Sequence, residues 1–410
     1  MFRYVFNETV KKTWRNKKLR LVFVLTVLMI LVYCTLILPR TSTEMVLDTS
    51  ATAALVDNSY GTKENQLSTG AVQFTQFTGQ DTFALAKREF EETSQLHYAI
   101  QDGDLKRIMQ LQQIPIRGVA SDGGDVDSIF PLRETNQFAL ATYYSRAHGF
   151  EELNTEHVSV HMLEDKTAIQ QLYRFVERYL PLFFLIITVF IASEVLVSDR
   201  KHPTIKAGKP IDWRMYILYQ SIAVFVISSL YMLGTMMFYT LINGLLFGFG
   251  PLNTEITKYR LVEHEDSRIN VFRGDISFFE TQNAWVYVLL SVIFIAIMMF
   301  IIIRISMLFS LIFRHDIIVL VLGILIVTIT SIYLADGSEG IFGIDPWFLP
   351  QNYIEIGRVL MGEQNFIAFT DQFTFTNGLI TMGITLLVVE VLLLAASFIM
   401  NRQRFERQVR

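Results

Sequence analysis

The chain has 410 residues, 51% of them hydrophobic, with a mean hydropathy of +0.37 and a formal net charge of −4. That composition excludes an ordinary soluble protein. One cysteine, Cys34, sits inside an apolar run, so an intrachain disulfide framework is excluded as well, and the residue reads as apolar filler.

Six apolar runs approach or exceed the ~20 residues that cross a bilayer as a helix. They are Leu19–Leu38, Tyr179–Ser198, Met215 to about Phe238, Trp285–Ile303, Ile317–Ala335 and Gly378–Met400. Backbone groups in lipid must be satisfied within the segment, which makes these runs helices. Runs such as Ile317–Ile329 do not alternate and do not suit a membrane barrel. The fold class expected is mainly α: a polytopic membrane protein with six transmembrane helices and a mixed α/β extracellular domain.

Taken in order, residues 1–18 are expected to form a cytosolic interfacial helix with Phe2, Phe6, Val10 and Trp14 near one face and lysines and arginines around the rest. Anionic lipid explains that charge, and no nucleic-acid partner is expected. The first span, 19–38, is too long for a removable signal peptide, and Pro39-Arg40-Thr41 lacks a small-x-small cleavage pattern.

Residues 41–175 are the one stretch large enough for a separate domain. Within it, 41–80, rich in Thr, Ser, Gly and Gln, read as extended or loop structure. Residues 82–113 read as a helical pair. Asp102-Gly103-Asp104 is the turn between them, and Asp104 is the N-cap of the second helix. The aspartates of 120–127 lack the spacing and closing glutamate of a calcium loop. Residues 156–163 alternate as a short strand would. His157 and His161 share a face only on a helix, so zinc is not expected.

The second span, Tyr179–Ser198, carries Glu194 about one turn from its end. A basic loop, 199–212, follows, with Arg200, Lys201, Thr204, Ile205, Lys206, Lys209 and Pro210. Met215–Phe249 is longer than one crossing needs and reads as a tilted helix or one with a re-entrant end. In the fourth span Arg304 is expected to snorkel at the boundary, with Ile305–Phe313 lying along the interface. Residues 338–375 suggest short re-entrant or interfacial helices. The sixth span carries Glu390 near its middle, and 401–410 form a basic tail.

Charge in the connections predicts orientation, because Lys and Arg accumulate on the cytosolic side. Residues 1–20 carry seven Lys/Arg against one acid, and loop 199–214 carries five against two. Region 41–175 carries 10 basic against 19 acidic residues, loop 251–284 four against six, and 336–375 one against six. Six spans with both termini cytoplasmic satisfy every connection at once.

Nothing fits the nucleotide-binding pattern G-x-x-x-x-G-K-[ST], and no H-E-x-x-H or G-x-S-x-G occurs. No catalytic residue and no metal ligand is assigned, and the chain is not expected to be an enzyme. Glu194 and Glu390, costly inside spans, read either as members of a substrate path or proton relay or as interhelical anchors. Over 176–410 the order of features resembles the membrane subunit of an ABC-2 type (type V) ABC exporter. The features are Glu194, the basic loop with Arg200, Thr204 and Ile205, then Lys209-Pro210-Ile211 and Trp213/Tyr216, and finally Pro350-Gln351-Asn352-Tyr353 to Gly362. His202-Pro203 stand where the family more often has a glycine before the threonine.

The resemblance implies a permease that moves substrate outward and binds no cofactor itself. ATP and Mg would sit on a separate ATPase subunit. Loop 199–212 would be the coupling helix received by that ATPase, and the first helix, with Phe6, Val10 and Trp14, the connector helix. A second permease copy or a paralogue would complete the pathway, in a plasma membrane of bacterial type. The rival readings are an ion- or proton-coupled carrier using Glu194 and Glu390, and a receptor or sensor with a ligand-binding extracellular domain.

Overall fold

The computed structural model describes residues 2–41, 49–69, 81–108, 111, 159–178, 180–201, 212–259, 279–313, 315–329, 345–368 and 370–400. Their helices, in chain order, are α1 (Phe2–Arg15), α2 (Lys17–Val32), α3 (Thr49–Thr69), α4 (Thr82–Asp102), α5 (Val160–Leu163), α6 (Ala168–Arg178), α7 (Leu180–Lys201) and α8 (Trp213–Phe247). After the strands β1 (Glu255–Tyr259) and β2 (Phe279–Asn283) come α9 (Ala284–Ile312), α10 (Asp316–Thr328), α11 (Ile356–Leu360), α12 (Glu363–Ala368) and α13 (Phe375–Ile399). Five of these segments are long and apolar enough to cross a membrane: Lys17–Arg40, α7 over Leu180–Val197, α8, α9 and α13. The chain is a mainly helical, multi-pass membrane protein. The fifth apolar run differs from the expected 19 residues. Its described helix, α10, has 13, which at 1.5 Å per residue is about 20 Å against a hydrocarbon core of about 30 Å. The rest of that run, 330–335, lies outside the described residues.

The chain divides into two compact units. The first comprises Met1–Thr35, Gln171–Ile242 and Trp285–Arg410. Its central helix is α7, whose most apolar window is 72% buried, against 22% for the first and the last spans. The core joins Leu19, Ile191, Leu196, Val224, Met307 and Leu393, one or more from each of α2, α7, α8, α9 and α13. α2 also stacks Phe23 on Tyr231 at 4.6 Å and hydrogen-bonds Thr26 to the Tyr231 hydroxyl at 2.5 Å. Its end loosens into a π-turn at Tyr33–Ile37 and a 3-10 turn at Leu38–Arg40, where Pro39 cannot continue the ladder. Cys34 is buried there, in a cluster with Ile30 and Tyr239.

α8 is one unbroken helix of 35 residues. α9 also runs unbroken past Arg304 to Ile312. Arg304, expected to snorkel at the end of the span, is instead buried against other helices, and the helix continues through it. Short helices do form at 346–368. Tyr353 is buried there and donates to Trp347 O at 3.0 Å, while Asn365 brackets the Phe373 backbone through Nδ2 to O (3.1 Å) and N to Oδ1 (2.8 Å).

The second unit comprises Leu36–Gln170 and Asn243–Ala284. Here the expectation of loop over 41–80 fails at Thr49–Thr69, which is helical and pairs antiparallel with α4. The apolar residues of α3 lack a helical stripe. The hairpin is held by polar contacts: Thr52 to His97 Nδ1 (3.0 Å), Ser59 to Thr93 (2.9 Å), and Lys63 over the Phe90 ring (4.6 Å). The turn after α4 forms as expected. Gly103 takes φ +71°, and Asp104 Oδ1 accepts from Arg107 N at 3.2 Å.

The expected strand 156–163 is helical over its described part, α5. Met162 and Leu163 are consecutive and both buried, against Leu96, Ala99 and Ile108, which a strand's alternation forbids. A two-stranded antiparallel sheet, not expected from the sequence, pairs Ile256 with Gln282 and Lys258 with Glu280. The loop at 120–127 lies outside the described residues.

α7 and α10 pack closely through Gly323. A Cβ there would stand 2.4 Å from Val189 Cγ1. Gly323→Leu is therefore expected to cost about 1–3 kcal/mol by overpacking, read as a lower thermal midpoint of the purified chain. Val189→Ala in the same chain should recover part of the loss.

The Tyr353 phenol is pushed up by burial, to about 12. Its folded value lies above its unfolded one of about 10, so stability is intact below pH ~10 and falls as pH rises toward 12. Unfolding followed across that window should show the slope in the native chain and a smaller one in Tyr353→Phe.

Candidate functional site

The sequence directs attention to the two ends of the 202–211 loop, itself outside the described residues. α7 delivers Glu194 and Asp199 to one side of the loop, and α8 delivers Tyr216 and Gln220 to the other. Asp199 joins them. Its Oδ2 accepts from both the Tyr216 hydroxyl and Gln220 Nε2, and the Tyr216 oxygen in turn accepts from Gln220 Nε2 at 2.9 Å. Its Oδ1 accepts from Lys12 Nζ of α1 at 2.7 Å. One carboxylate therefore ties the first helix to both arms of the loop.

A turn deeper, Glu194 does the same for the start of α2. Lys18 Nζ donates to Oε1 at 2.8 Å, and Asn16 Nδ2 donates to Oε2. Asn16 breaks α1 from α2 and caps α2, its Oδ1 accepting from Lys18 N at 3.0 Å. Around these groups lies a cavity of about 40 Å³, with Thr9, Lys12, Thr13, Glu194 and Gln220 in its lining.

α1 seats on its neighbours through Val5, Thr9 and Thr13, which are buried. Of the residues assigned to the connector face, Phe6 and Val10 are half-buried and Trp14 is 64% exposed. Phe2 meets Tyr219 edge-on at 5.1 Å. Tyr4 and Trp14 are exposed, whereas Lys12 turns inward to Asp199. Of the loop residues, Arg200 and Lys201 form the end of α7. Thr204, Ile205, Lys206, Lys209 and Pro210 lie outside the described residues.

Glu390 is elsewhere in the same unit. It forms a bidentate ion pair with Arg304, Nε to Oε1 at 2.5 Å and Nη2 to Oε2 at 2.6 Å, and Arg304 Nη1 donates to Ser221 Oγ at 2.9 Å. Arg304 is 5% exposed, while the Glu390 side chain is 37% exposed. The pair clamps α9 to α13, and Ser221 adds α8. Among the described residues no group of three or more His, Cys, Asp or Glu side chains is placed to hold a metal.

Sequence reasoning assigned no role to Asp199 or Gln220, counted Lys12 only among the basic residues of the first helix, named Tyr216 only as the start of a span, and read Arg304 as a boundary residue without pairing it to Glu390. Arg304 and Glu390 are opposite charges within apolar helices, and that is the signal that could have paired them.

Compared with protein-family models, curated proteins and solved structures, the chain gives no significant match.

Removing Glu390 strands the buried Arg304 guanidinium, and removing Arg304 leaves the half-exposed Glu390 without its counter-charge. Glu390→Gln or Arg304→Met is expected to cost about 3 kcal/mol, whereas the double change Arg304→Met/Glu390→Leu should cost less than either. Thermal unfolding in lipid nanodiscs compares the three. Additive losses would show that the pair is not coupled.

Proposed function

We propose that this chain is the membrane-spanning permease subunit of an ABC exporter, moving substrate outward with ATP hydrolysed on a separate ATPase subunit. In this reading the chain crosses the membrane six times, with the apolar run Ile317–Ala335 as the fifth span. Both termini are cytoplasmic, and 41–175 forms an extracellular domain. Two subunits, identical or paired as paralogues, would enclose the pathway between their first, second and fifth spans in a bacterial plasma membrane.

The observation that carries the reading is the Asp199 junction. An element that receives motion from another chain must be stiffly joined to the spans it moves. Asp199, Lys12, Tyr216 and Gln220 supply that joint at the root of the loop. The carrier reading is weakened by the same geometry. Glu194 is held by Lys18 and Asn16, and Glu390 by both arms of a guanidinium, so both carboxylates are engaged in contacts between helices.

Copurification with a P-loop ATPase chain, followed by ATP turnover of the complex, tests the proposal. Substitutions at Arg200, Thr204 and Ile205 should reduce assembly or turnover at least tenfold. Full assembly and turnover in all three would sink the coupling assignment. Lys12→Met should leave assembly intact but lower turnover, because it cuts α1 from the loop without touching the docking face.

A further inference from the structure

We propose that the cavity at the root of α1 is a built hydration site. Its volume of about 40 Å³ suits roughly three or four ordered waters, given that one occupies about 10–15 Å³ in this measure. Gln220 is 0% exposed and lines the cavity. Its amide nitrogen is spent on Asp199 and Tyr216, but its carbonyl Oε1 has no partner among the described residues. The Thr9 and Thr13 hydroxyls donate to Val5 O and Thr9 O, both at 2.8 Å, which leaves their oxygens as acceptors. Lys12 has three N–H donors, of which Asp199 takes one.

The lining therefore offers acceptors and a donor together, the combination that water matches and an apolar ligand does not. Charge points the same way. Lys12 and Lys18 balance Asp199 and Glu194, so no net charge is left to retain an ion. The consequence is a wet seat. α1 rests on its neighbours through threonines, ion pairs and exchangeable water, with Val5 its one fully apolar buried residue. Such an interface can shift without stranding a buried polar group. This inference does not depend on the permease reading.

Millisecond X-ray hydroxyl-radical labelling of the full chain in phosphatidylcholine nanodiscs tests it. Leu19 and Ile191 line the cavity yet are only 2% and 3% exposed. Water held beside them should label both, while Leu196, buried in the same core away from the cavity, should stay unlabelled. Gln220→Leu, or the near-isosteric Thr13→Val if the first fails to fold, should lower labelling of Leu19 and Ile191 at least threefold. The proposal is overturned if the wild type leaves both unlabelled, or if neither variant changes their labelling. It is also overturned if the melting temperature rises in sodium or potassium chloride over choline chloride at equal ionic strength, since the occupant would then be a cation.

Discussion

An ionised group carried into a low-dielectric span must bring its counter-charge with it, because desolvation costs several kcal/mol per ion unless a partner and hydrogen bonds offset it. The first unit is arranged around that constraint. Arg304 would cap α9 at the membrane boundary if it had to reach water. Paired with Glu390 and Ser221 it allows α9 to run on to Ile312. Glu194 and Asp199 likewise lie within α7 and draw Lys18 and Lys12 onto it. The position of the first helix is thus set by charge more than by apolar area. Its buried face is Val5, Thr9 and Thr13, a poor hydrophobic stripe, and its best apolar residues are left outward.

The second unit uses a different economy. α3 and α4 face each other through hydroxyls, a histidine and a lysine over a ring, so the hairpin buries little apolar surface of its own. Among the described residues a denser apolar cluster forms where Leu96 and Ala99 near the end of α4 meet Ile108, Met162 and Leu163. A helix stabilised by interdigitated small and polar side chains carries no apolar stripe at 3.6-residue spacing. That is why Thr49–Thr69 reads as loop in the sequence.

The parts of the fold legible in the sequence were those fixed by one-dimensional physics. Span length and hydropathy locate the five long apolar helices, with most ends within a few residues; the exceptions are α9, which runs nine residues past Ile303, and α8, which runs nine past Phe238. The Gly103 turn with its Asp104 cap was legible because both residues act on their own backbone. What was not legible depends on partners distant in sequence. Lys12 and Asp199 are 187 positions apart, and Arg304 and Glu390 are 86 apart. No local pattern encodes either pairing. The hairpin β1–β2 was hidden for a similar reason. Each strand has five residues, and the register that joins them crosses a long connection.

The two ionic clusters are not independent, and the link is a pair of adjacent residues on α8. Gln220 belongs to the Asp199 cluster, and Ser221 receives the third hydrogen bond of Arg304. Consecutive side chains leave a helix about 100° apart, so one turn of α8 faces α7 and α1 on one side and α9 with α13 on the other. A rotation or tilt of this turn that loosens Gln220 from Asp199 must also move Ser221 relative to the Arg304–Glu390 pair. The helix that follows the basic loop is therefore the element shared by the root of α1 and the charge clamp of α9 and α13. Both residues lie within the first ten positions of α8, which then runs on without a break to Phe247, 35 residues from Trp213.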